Sequence, residues 1–126
     1  PLKNLINQGL PVWGTCAGMI LLAKEISAQE TSYLQAMDTV VKRNGYGSQL
    51  DSFQTTASIP EISATPIPLT FIRAPYIESA KENVKVLAKV DNKIVAAQQN
   101  HMLATAFHPE LTNDLSFHRY FVEKVV

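Results

Sequence analysis

The sequence predicts an α/β fold with a partly parallel central sheet, helices on both of its faces, and an added antiparallel strand section. Three observations predict it: residues 1–26 have a helix–strand–helix pattern, the middle of the chain is rich in strand-forming segments, and residues 116–126 form an amphipathic helix. Hydrophobic residues make up 46% and charged residues 17% of the 126 positions, which is typical of one folded domain with its own core.

The first part of the chain predicts a helix over residues 1–8, a short strand at Pro11–Trp13 and a second helix over about 17–26. The apolar face of the first helix consists of Leu2, Leu5, Ile6 and Leu10. Gly9 is placed to end that helix, as a C-terminal cap does. Residues 27–35 are polar and predict a loop.

The middle of the chain predicts strands separated by turn residues. A strand around 39–42 leads to a turn at Asn44-Gly45, and the alternation over 49–59 predicts another strand. Three prolines predict a loop and the edge of a sheet over residues 60–68. Residues 69–80 are predicted as one strand stopped by Pro75. Residues 84–110 predict three strands of a meander, with turns at Asp91-Asn92 and Asn100-His101.

Composition excludes several classes of function. Eleven basic residues balance eleven acidic ones, so charge gives no argument for binding to nucleic acid or an anionic membrane. No apolar stretch reaches the length needed to span a membrane. The single cysteine cannot form an internal disulfide, so we expect a cytoplasmic protein.

That cysteine, Cys16, lies in the motif Gly-Thr-Cys-Ala-Gly between a predicted strand and a predicted helix. G-x-C-x-G is the cysteine form of the nucleophile elbow, a sharp turn that requires small neighbours such as Gly14 and Gly18. The helix N-terminus is expected to favour the thiolate, and the Ala17 N–H to serve as an oxyanion donor. A buried structural cysteine in a glycine-flanked turn is the alternative, and the motif alone leaves the two about evenly balanced.

A thiol nucleophile needs a base, and His108 in Thr-Ala-Phe-His-Pro-Glu-Leu is the candidate. Residues i and i+2 of an extended chain face the same side, so Glu110 can orient the imidazole of His108. His101 is predicted in a turn and His118 in a helix, where surface or hydrogen-bonded histidines are ordinary. A polar loop is the alternative for His-Pro-Glu by itself, but with Cys16 the set of nucleophile, base and orienting group is complete.

Four segments in order, GTCAGMILLAKEI, RNGYGSQLDSF, FIRAPYIE and AFHPEL, resemble the glutaminase subunits of pyridoxal 5′-phosphate synthase. These are class I (triad-type) glutamine amidotransferases with a flavodoxin-like fold. The resemblance implies hydrolysis of L-glutamine to L-glutamate and ammonia, with Cys16 as nucleophile, His108 as base and acid, and Glu110 as the third member. It implies substrate contacts by Arg43, Ile72 and Arg73. It also implies delivery of ammonia to a synthase subunit for vitamin B6 biosynthesis.

No metal or cofactor is expected, because the sequence has neither a cysteine cluster nor paired histidine ligands. The family has a glycine-rich oxyanion loop and further strands before the cysteine, and no such loop precedes Cys16 here. We therefore expect residues 1–126 to be a single glutaminase domain without its N-terminal strands and oxyanion loop, and to be nearly inactive alone. Two other classes remain: a non-catalytic partner-binding fragment, and another cysteine hydrolase or redox sensor on a related fold.

Overall fold

The structure, a computed structural model, describes residues 2–27, 32–43 and 52–126. The helices in these ranges are α1 Leu2–Asn7, α2 Ala17–Leu22 and α3 Ser116–Tyr120, and α3 continues into a π-helical turn, Phe121–Val125. A short 3₁₀ turn, Pro109–Leu111, carries Glu110. The strands are β1 Val12–Thr15, β2 Ala23–Ile26, β3 Met37–Lys42, β4 Ser52–Ala57, β5 Ile67–Ile72, β6 Tyr76–Ala80, β7 Lys85–Val90, β8 Lys93–Gln99 and β9 Met102–Thr105. None of the helices in these ranges has the length and apolar character required to cross a membrane.

Seven of the described strands form one mixed sheet in the spatial order β1-β9-β8-β6-β3-β2, with β7 paired to β8. The pairs β1–β9 and β2–β3 are parallel, and the other pairs in this sheet are antiparallel. β4 and β5 form a separate antiparallel hairpin. The predicted α/β class with an added antiparallel section is therefore confirmed.

The meander β7–β8–β9 confirms the strands and turns predicted over 84–110. Asp91 and Asn92 both have positive φ, 52° and 63°, which is the backbone of a two-residue hairpin turn whose twist matches the flanking strands. Asn100 likewise has φ 54° between β8 and β9. Strands β8 and β9 bury most of their side chains, so this meander forms the centre of the core.

Four phenylalanines connect the hairpin to the main sheet and to the last helix. Phe53 of β4 stacks on Phe71 of β5 with ring centroids 4.6 Å apart. Phe71 meets Phe107 edge to face at 5.8 Å, and Phe107 meets Phe117 of α3 at 5.0 Å. Because Phe107 directly precedes His108, this chain of rings fixes the segment that carries the candidate base.

A polar network centred on Asp38 of β3 ties together four parts of the chain. Lys24 Nζ lies 2.7 Å from Asp38 Oδ1, and the amides of Asn83 and Gln99 donate to Oδ2 at 2.6 and 3.0 Å. The hydrogen bond and charge of Lys24, with those two amides, lower the pKa of Asp38. The network therefore stabilises the fold at neutral pH, and that contribution is lost only as the pH falls through the lowered pKa.

The second helix is shorter than predicted. Instead of running to residue 26, α2 ends at Leu22, and Ala23 begins β2 with φ −66° and ψ 144°. The reason is pairing with β3, in which Ala23 lies opposite Met37 and Ile26 opposite Val41, so that both Ala23 and Ile26 are buried. Lys24 and Glu25 are exposed, as expected for a solvated face.

Two further predictions need correction. The segment 69–80 is not one strand, because Arg73 takes a left-handed backbone with φ 45° and separates β5 from β6. The first helix ends as predicted at Gly9, with φ 104°, but its apolar residues do not form one buried face. Ile6 is buried, whereas the remaining three are 40–50% exposed: Leu2, Leu5 and Leu10. The predicted turn at Asn44-Gly45 lies outside the described residues.

Candidate active site

Cys16 occupies a strained turn between β1 and α2. Its backbone has φ 51° and ψ −104°, a region that non-glycine residues rarely adopt and that is found where the surrounding structure forces it. Its N–H donates to the carbonyl oxygen of Thr105 on the neighbouring strand β9 at 2.8 Å. The sharp turn predicted from G-x-C-x-G is therefore present, and it is held from the side by β9.

The two glycines of the motif have different roles. A Cβ atom on Gly14 would lie 2.6 Å from the backbone C and O of Gly18 and 2.9 Å from a methyl carbon of Leu22, so no side chain fits there. A Cβ atom on Gly18 would meet nothing within 4 Å. The requirement for a small residue, predicted for both positions, thus holds for Gly14 and not for Gly18.

His108 is brought to the same edge of the sheet as Cys16. β1 and β9 are parallel with Thr15 opposite Thr105, so the residues that follow the two strands leave the sheet on the same side. The His108 N–H donates to the Thr70 carbonyl of β5 at 2.8 Å, which fixes its backbone as well. Positions 16 and 108, far apart in sequence, therefore lie at the same edge of the sheet.

Glu110 orients the imidazole of His108. His108 Nδ1 lies 2.9 Å from Glu110 Oε2, and since an ionised carboxylate can only accept, Nδ1 carries the proton and Nε2 is left free to act as a base. The side chain of Glu110 is 56% exposed, so this pair contributes about 0–1 kcal/mol to stability and its value lies in orientation.

The charge state of Glu110 suits that task. Burial acts to raise the pKa of Glu110, but the hydrogen bond from His108, the backbone N–H of Glu110 itself and the charges of His108 and His118 together outweigh it. The pKa of this carboxyl is lowered as a result. Glu110 therefore remains an acceptor at neutral pH.

The thiol of Cys16 is partly buried and donates to the Ile72 carbonyl oxygen at 3.7 Å. Burial raises the pKa of the Cys16 thiol, the Ala17 N–H offsets part of this, and the negative charge of Glu110 raises it further. The Ala17 N–H at the helix N-terminus lowers the thiol pKa, in the predicted direction, but desolvation outweighs it and the pKa is raised overall. The thiol stays neutral at rest and needs a base to become a nucleophile.

The three predicted substrate contacts, Arg43, Ile72 and Arg73, come from neighbouring segments. Arg43 directly follows β3, whose Lys42 pairs with Tyr76 at the start of β6. Arg73 lies just before β6, is exposed, and has φ 45°. It is not inside an apolar strand, as the sequence indicated, because β5 ends at Ile72. The structure brings Ile72 directly to the Cys16 thiol.

Sequence reasoning missed the contribution of backbone carbonyls. The Thr70, Ile72 and Thr105 oxygens hold His108, the thiol and the Cys16 peptide respectively. A carbonyl oxygen is present at every residue, so no residue type could have identified them. These three carbonyl groups could have been identified only from the register of the strands, and the register depends on which strands become neighbours.

Cavities elsewhere in the described residues do not compete with this site. A polar depression of about 510 Å³ is lined by residues that include Glu61, Lys85, Gln98 and Tyr120. Lys85 pairs with Glu61, and the Tyr120 hydroxyl donates to Gln98, so these groups satisfy one another. Within the described ranges, no group of three or more His, Cys, Asp or Glu side chains is arranged to hold a metal ion.

The geometry at Cys16 is suited to acyl transfer. A partly buried thiol, an oriented imidazole and a carboxylate are the parts of a nucleophile–base–orienting group set, and the Ala17 N–H at the elbow can face a developing oxyanion. The substrate must offer a carbonyl carbon and a leaving group that accepts a proton.

Residues 1–126 match the family model of the SNO glutamine amidotransferase family. The chain is 58% identical over 125 residues to a protein of Ruminiclostridium cellulolyticum named pyridoxal 5′-phosphate synthase subunit PdxT, covering 99% of this chain and 66% of that protein. A protein of the same name from Caldanaerobacter subterraneus subsp. tengcongensis is 61% identical over 121 residues, covering 96% of this chain and 64% of that one.

A crystal structure described as that of a glutamine amidotransferase superposes with a TM-score of 0.89 at 39% sequence identity. The match covers 97% of this chain and 65% of the other. The chain thus spans 64–66% of the length of these proteins. The similarity extends over the segments that carry Cys16 and His108.

We predict that Gly14→Ala distorts the elbow and destabilises the protein by about 1–3 kcal/mol, because the added methyl group would overlap the Gly18 backbone. Urea unfolding measures the loss of stability, and the rate of iodoacetamide alkylation of Cys16 measures the distortion.

Gly18→Ala is the matched control for this variant. It adds the same methyl group four residues away, into open space within α2, where alanine is a better helix former than glycine. Its unfolding midpoint should equal or exceed that of the unaltered protein. Equal midpoints for Gly14→Ala and the unaltered protein would contradict the steric argument.

Proposed function

This chain belongs to the SNO glutamine amidotransferase family, and we propose that it hydrolyses L-glutamine to L-glutamate and ammonia by means of Cys16, His108 and Glu110. One observation carries the proposal: parallel pairing of β1 with β9 delivers the strained cysteine and the carboxylate-oriented histidine to the same sheet edge. The same pairing supports a triad rather than an isolated structural cysteine, because a structural thiol does not require an oriented base.

The proposed reaction begins with transfer of the Cys16 thiol proton to Nε2 of His108. The sulfur then attacks the side-chain amide carbon of glutamine, and the Ala17 N–H donates to the oxyanion of the tetrahedral intermediate. His108 returns the proton to the leaving nitrogen, ammonia departs, and a thioester remains on Cys16. A water molecule gives a proton to His108 and attacks the thioester. Collapse releases glutamate, and the proton on His108 returns to the sulfur.

Glu110 holds the proton on Nδ1 of His108 throughout this cycle. Its lowered pKa keeps it ionised, so it stabilises the imidazolium that forms whenever His108 carries the second proton. Because burial raises the thiol pKa, the proposed reaction needs the imidazolium of His108 to stabilise the thiolate. The carboxylate is therefore essential to the nucleophile as well as to the base.

We further propose that Arg43, Ile72 and Arg73 bind the amino-acid end of glutamine. A guanidinium suits the substrate carboxylate, and both arginines lie near the start of β6, adjacent to the Ile72 carbonyl that contacts the thiol. The left-handed backbone at Arg73 is a further sign, since such strain is found at ligand sites. The bound substrate would then extend from the arginines to Cys16.

The partner that we propose is the synthase subunit of pyridoxal 5′-phosphate synthase, to which ammonia would be delivered. The relatives described above carry that enzyme's name, and a subunit implies an assembly. We propose the cytoplasm as the compartment, because a free thiol nucleophile persists where the surroundings are reducing. We also propose that residues 1–126 form a single glutaminase domain and that its second oxyanion donor comes from outside them.

The first prediction concerns the triad. Cys16→Ser and His108→Asn should each lower glutamine turnover by about 1000-fold or more, because the nucleophile and the base act as one unit. The measurement is ammonia release by a full-length protein that contains residues 1–126 and the second oxyanion donor, assembled with its synthase subunit. A glutamine-derived chloroketone should label Cys16 in the unaltered protein and fail to label Cys16→Ser.

His101→Asn is the control. His101 lies at the opposite end of β9 and contacts the Val125 carbonyl through Nδ1 at 2.7 Å, so its loss should leave turnover nearly intact. Equal losses in the two histidine variants would contradict the assignment of the base. Labelling without glutamine turnover would instead indicate a cysteine hydrolase with another substrate.

The second prediction is that Arg43→Ala raises KM for glutamine by about 10- to 100-fold with a smaller effect on kcat, because a lost charged contact weakens substrate binding by a few kcal/mol. Steady-state kinetics over a range of glutamine concentrations measures it. Lys42→Ala, at the neighbouring exposed position, is the control and should leave KM within about twofold. An unchanged KM for Arg43→Ala would remove Arg43 from the site.

The third prediction concerns the second oxyanion donor. Loss of one donor lowers the rate by about 100- to 1000-fold, so the 126-residue chain should be nearly inactive with or without the synthase subunit. The full-length relative from Ruminiclostridium cellulolyticum is the comparator, and its kcat should rise when the subunit is added. Ammonia release under both conditions decides the matter, and substantial turnover by the 126-residue chain would place both donors within it.

A further inference from the structure

His118 of α3 packs against the strand that carries the nucleophile. Its ring meets Trp13 of β1 edge to face, with centroids 5.1 Å apart and planes at 73°. Its Nδ1 is buried and has no hydrogen-bond partner among the described residues. The sequence indicated a surface or hydrogen-bonded histidine, so this placement is a finding of the tertiary structure.

Trp13 connects that contact to Cys16. The indole Nε1–H donates to the Thr105 hydroxyl at 3.1 Å, and the Thr105 carbonyl accepts the Cys16 N–H at 2.8 Å. Trp13 also meets Phe121 at 5.6 Å. The indole is therefore held on one side by rings from the C-terminal helical segment and on the other by the residue that anchors the nucleophile's peptide.

Packing, rather than hydrogen bonding, accounts for the contact between His118 and Trp13. Edge-to-face geometry is the favourable arrangement of two aromatic rings. A buried nitrogen without a hydrogen-bond partner costs free energy, and the charge of His118 is only the smallest of the effects that lower the pKa of Glu110. A phenyl ring would preserve the contact and remove that cost.

We propose that His118 is a positioning residue for the reaction proposed above: its ring holds the Trp13 indole on Thr105, and thereby fixes the peptide that presents the Cys16 sulfur. The inference rests on the proposed function. Cys16 has a strained backbone, and a strained residue keeps its geometry only while its surroundings constrain it. Loosening Trp13 should therefore misplace the sulfur and lower kcat, with KM nearly unchanged, because the residues proposed to bind glutamine belong to other segments.

The test compares His118→Ala, which removes the ring, with His118→Phe, which keeps a ring. In the protein assembled with its synthase subunit, we expect kcat to fall about 10- to 100-fold in His118→Ala with KM within about twofold, and His118→Phe to recover most of that loss. His101→Ala is the matched control: it removes a histidine that contacts the π-helical turn at Val125, and its kcat should stay within about twofold.

Two further measurements do not depend on glutamine. Trp13 is the only tryptophan of the sequence, so the fluorescence of the 126-residue chain should shift to longer wavelength in His118→Ala and not in His118→Phe. The rate of iodoacetamide alkylation of Cys16 should change in His118→Ala and stay close to that of the unaltered protein in His118→Phe. His118→Phe should also unfold at a higher urea concentration than the unaltered protein, because it lacks the unpartnered nitrogen.

The outcomes separate this inference from the proposed function. If the assembly of the full-length protein, which contains the second oxyanion donor, releases no ammonia from glutamine, the proposed function is wrong. Fluorescence and alkylation of the 126-residue chain then still test the role of His118. If kcat, fluorescence and alkylation are all unchanged in His118→Ala, or if His118→Phe recovers none of them while remaining folded, the positioning role is overturned. An equal fall in kcat in His101→Ala would also overturn the positioning role, because the loss in His118→Ala would then be a general effect of lower stability.

Discussion

The parallel pairing of β1 with β9 is the constraint on which the site depends. Parallel neighbours end at the same edge of a sheet, so the residues that follow Thr15 and Thr105 must leave together. The hydrogen bond from the Cys16 N–H to the Thr105 carbonyl continues that pairing by one residue beyond β1, into the turn itself. The strained backbone of Cys16 is thus supported by the same ladder that brings His108 close.

The sharp turn at Cys16 has a steric requirement, and ionisation of its thiol has a separate electrostatic requirement. Gly14 must lack a side chain because the Gly18 backbone approaches it closely, and this contact lets the chain turn sharply. The turn alone does not activate the thiol, since burial raises its pKa. In the proposed reaction, activation depends on His108 and on Glu110, whose pKa is lowered by the hydrogen bond and charge of that histidine.

The interactions that stabilise the fold lie mostly away from the groups that would react. The phenylalanine chain from Phe53 to Phe117 is packed between the hairpin, the sheet and α3. The Asp38 carboxylate is largely enclosed but its partner Lys24 is exposed, and the His108–Glu110 pair is likewise open to solvent on the Glu110 side. An exposed ion pair contributes little to stability, so the positions of Cys16 and His108 depend on their backbone hydrogen bonds. The strands that carry these backbone groups therefore fix the geometry of the site.

Features that depend on a few adjacent residues could be predicted from the sequence alone. The elbow at Cys16 follows from small neighbours in a strand-to-helix turn, and the hairpin at Asp91-Asn92 follows from residues that tolerate positive φ. The pairing of His108 with Glu110 was also predicted, but from an extended chain, whereas Glu110 lies in the 3₁₀ turn that follows β9. These are local steric rules, which act whatever the rest of the chain does. The α/β class could be predicted for the same reason, from the periodicity of each segment.

Features that depend on which segments become neighbours could not be predicted from the sequence and follow from the folded chain. Pairing with β3 ended α2 at Leu22, although the sequence to residue 26 is compatible with a helix. The raised pKa of the Cys16 thiol, the exposure of Arg73 and the contact of His118 with Trp13 likewise follow from burial and packing between distant segments. Desolvation and packing are properties of the assembled chain, so no local motif carries them.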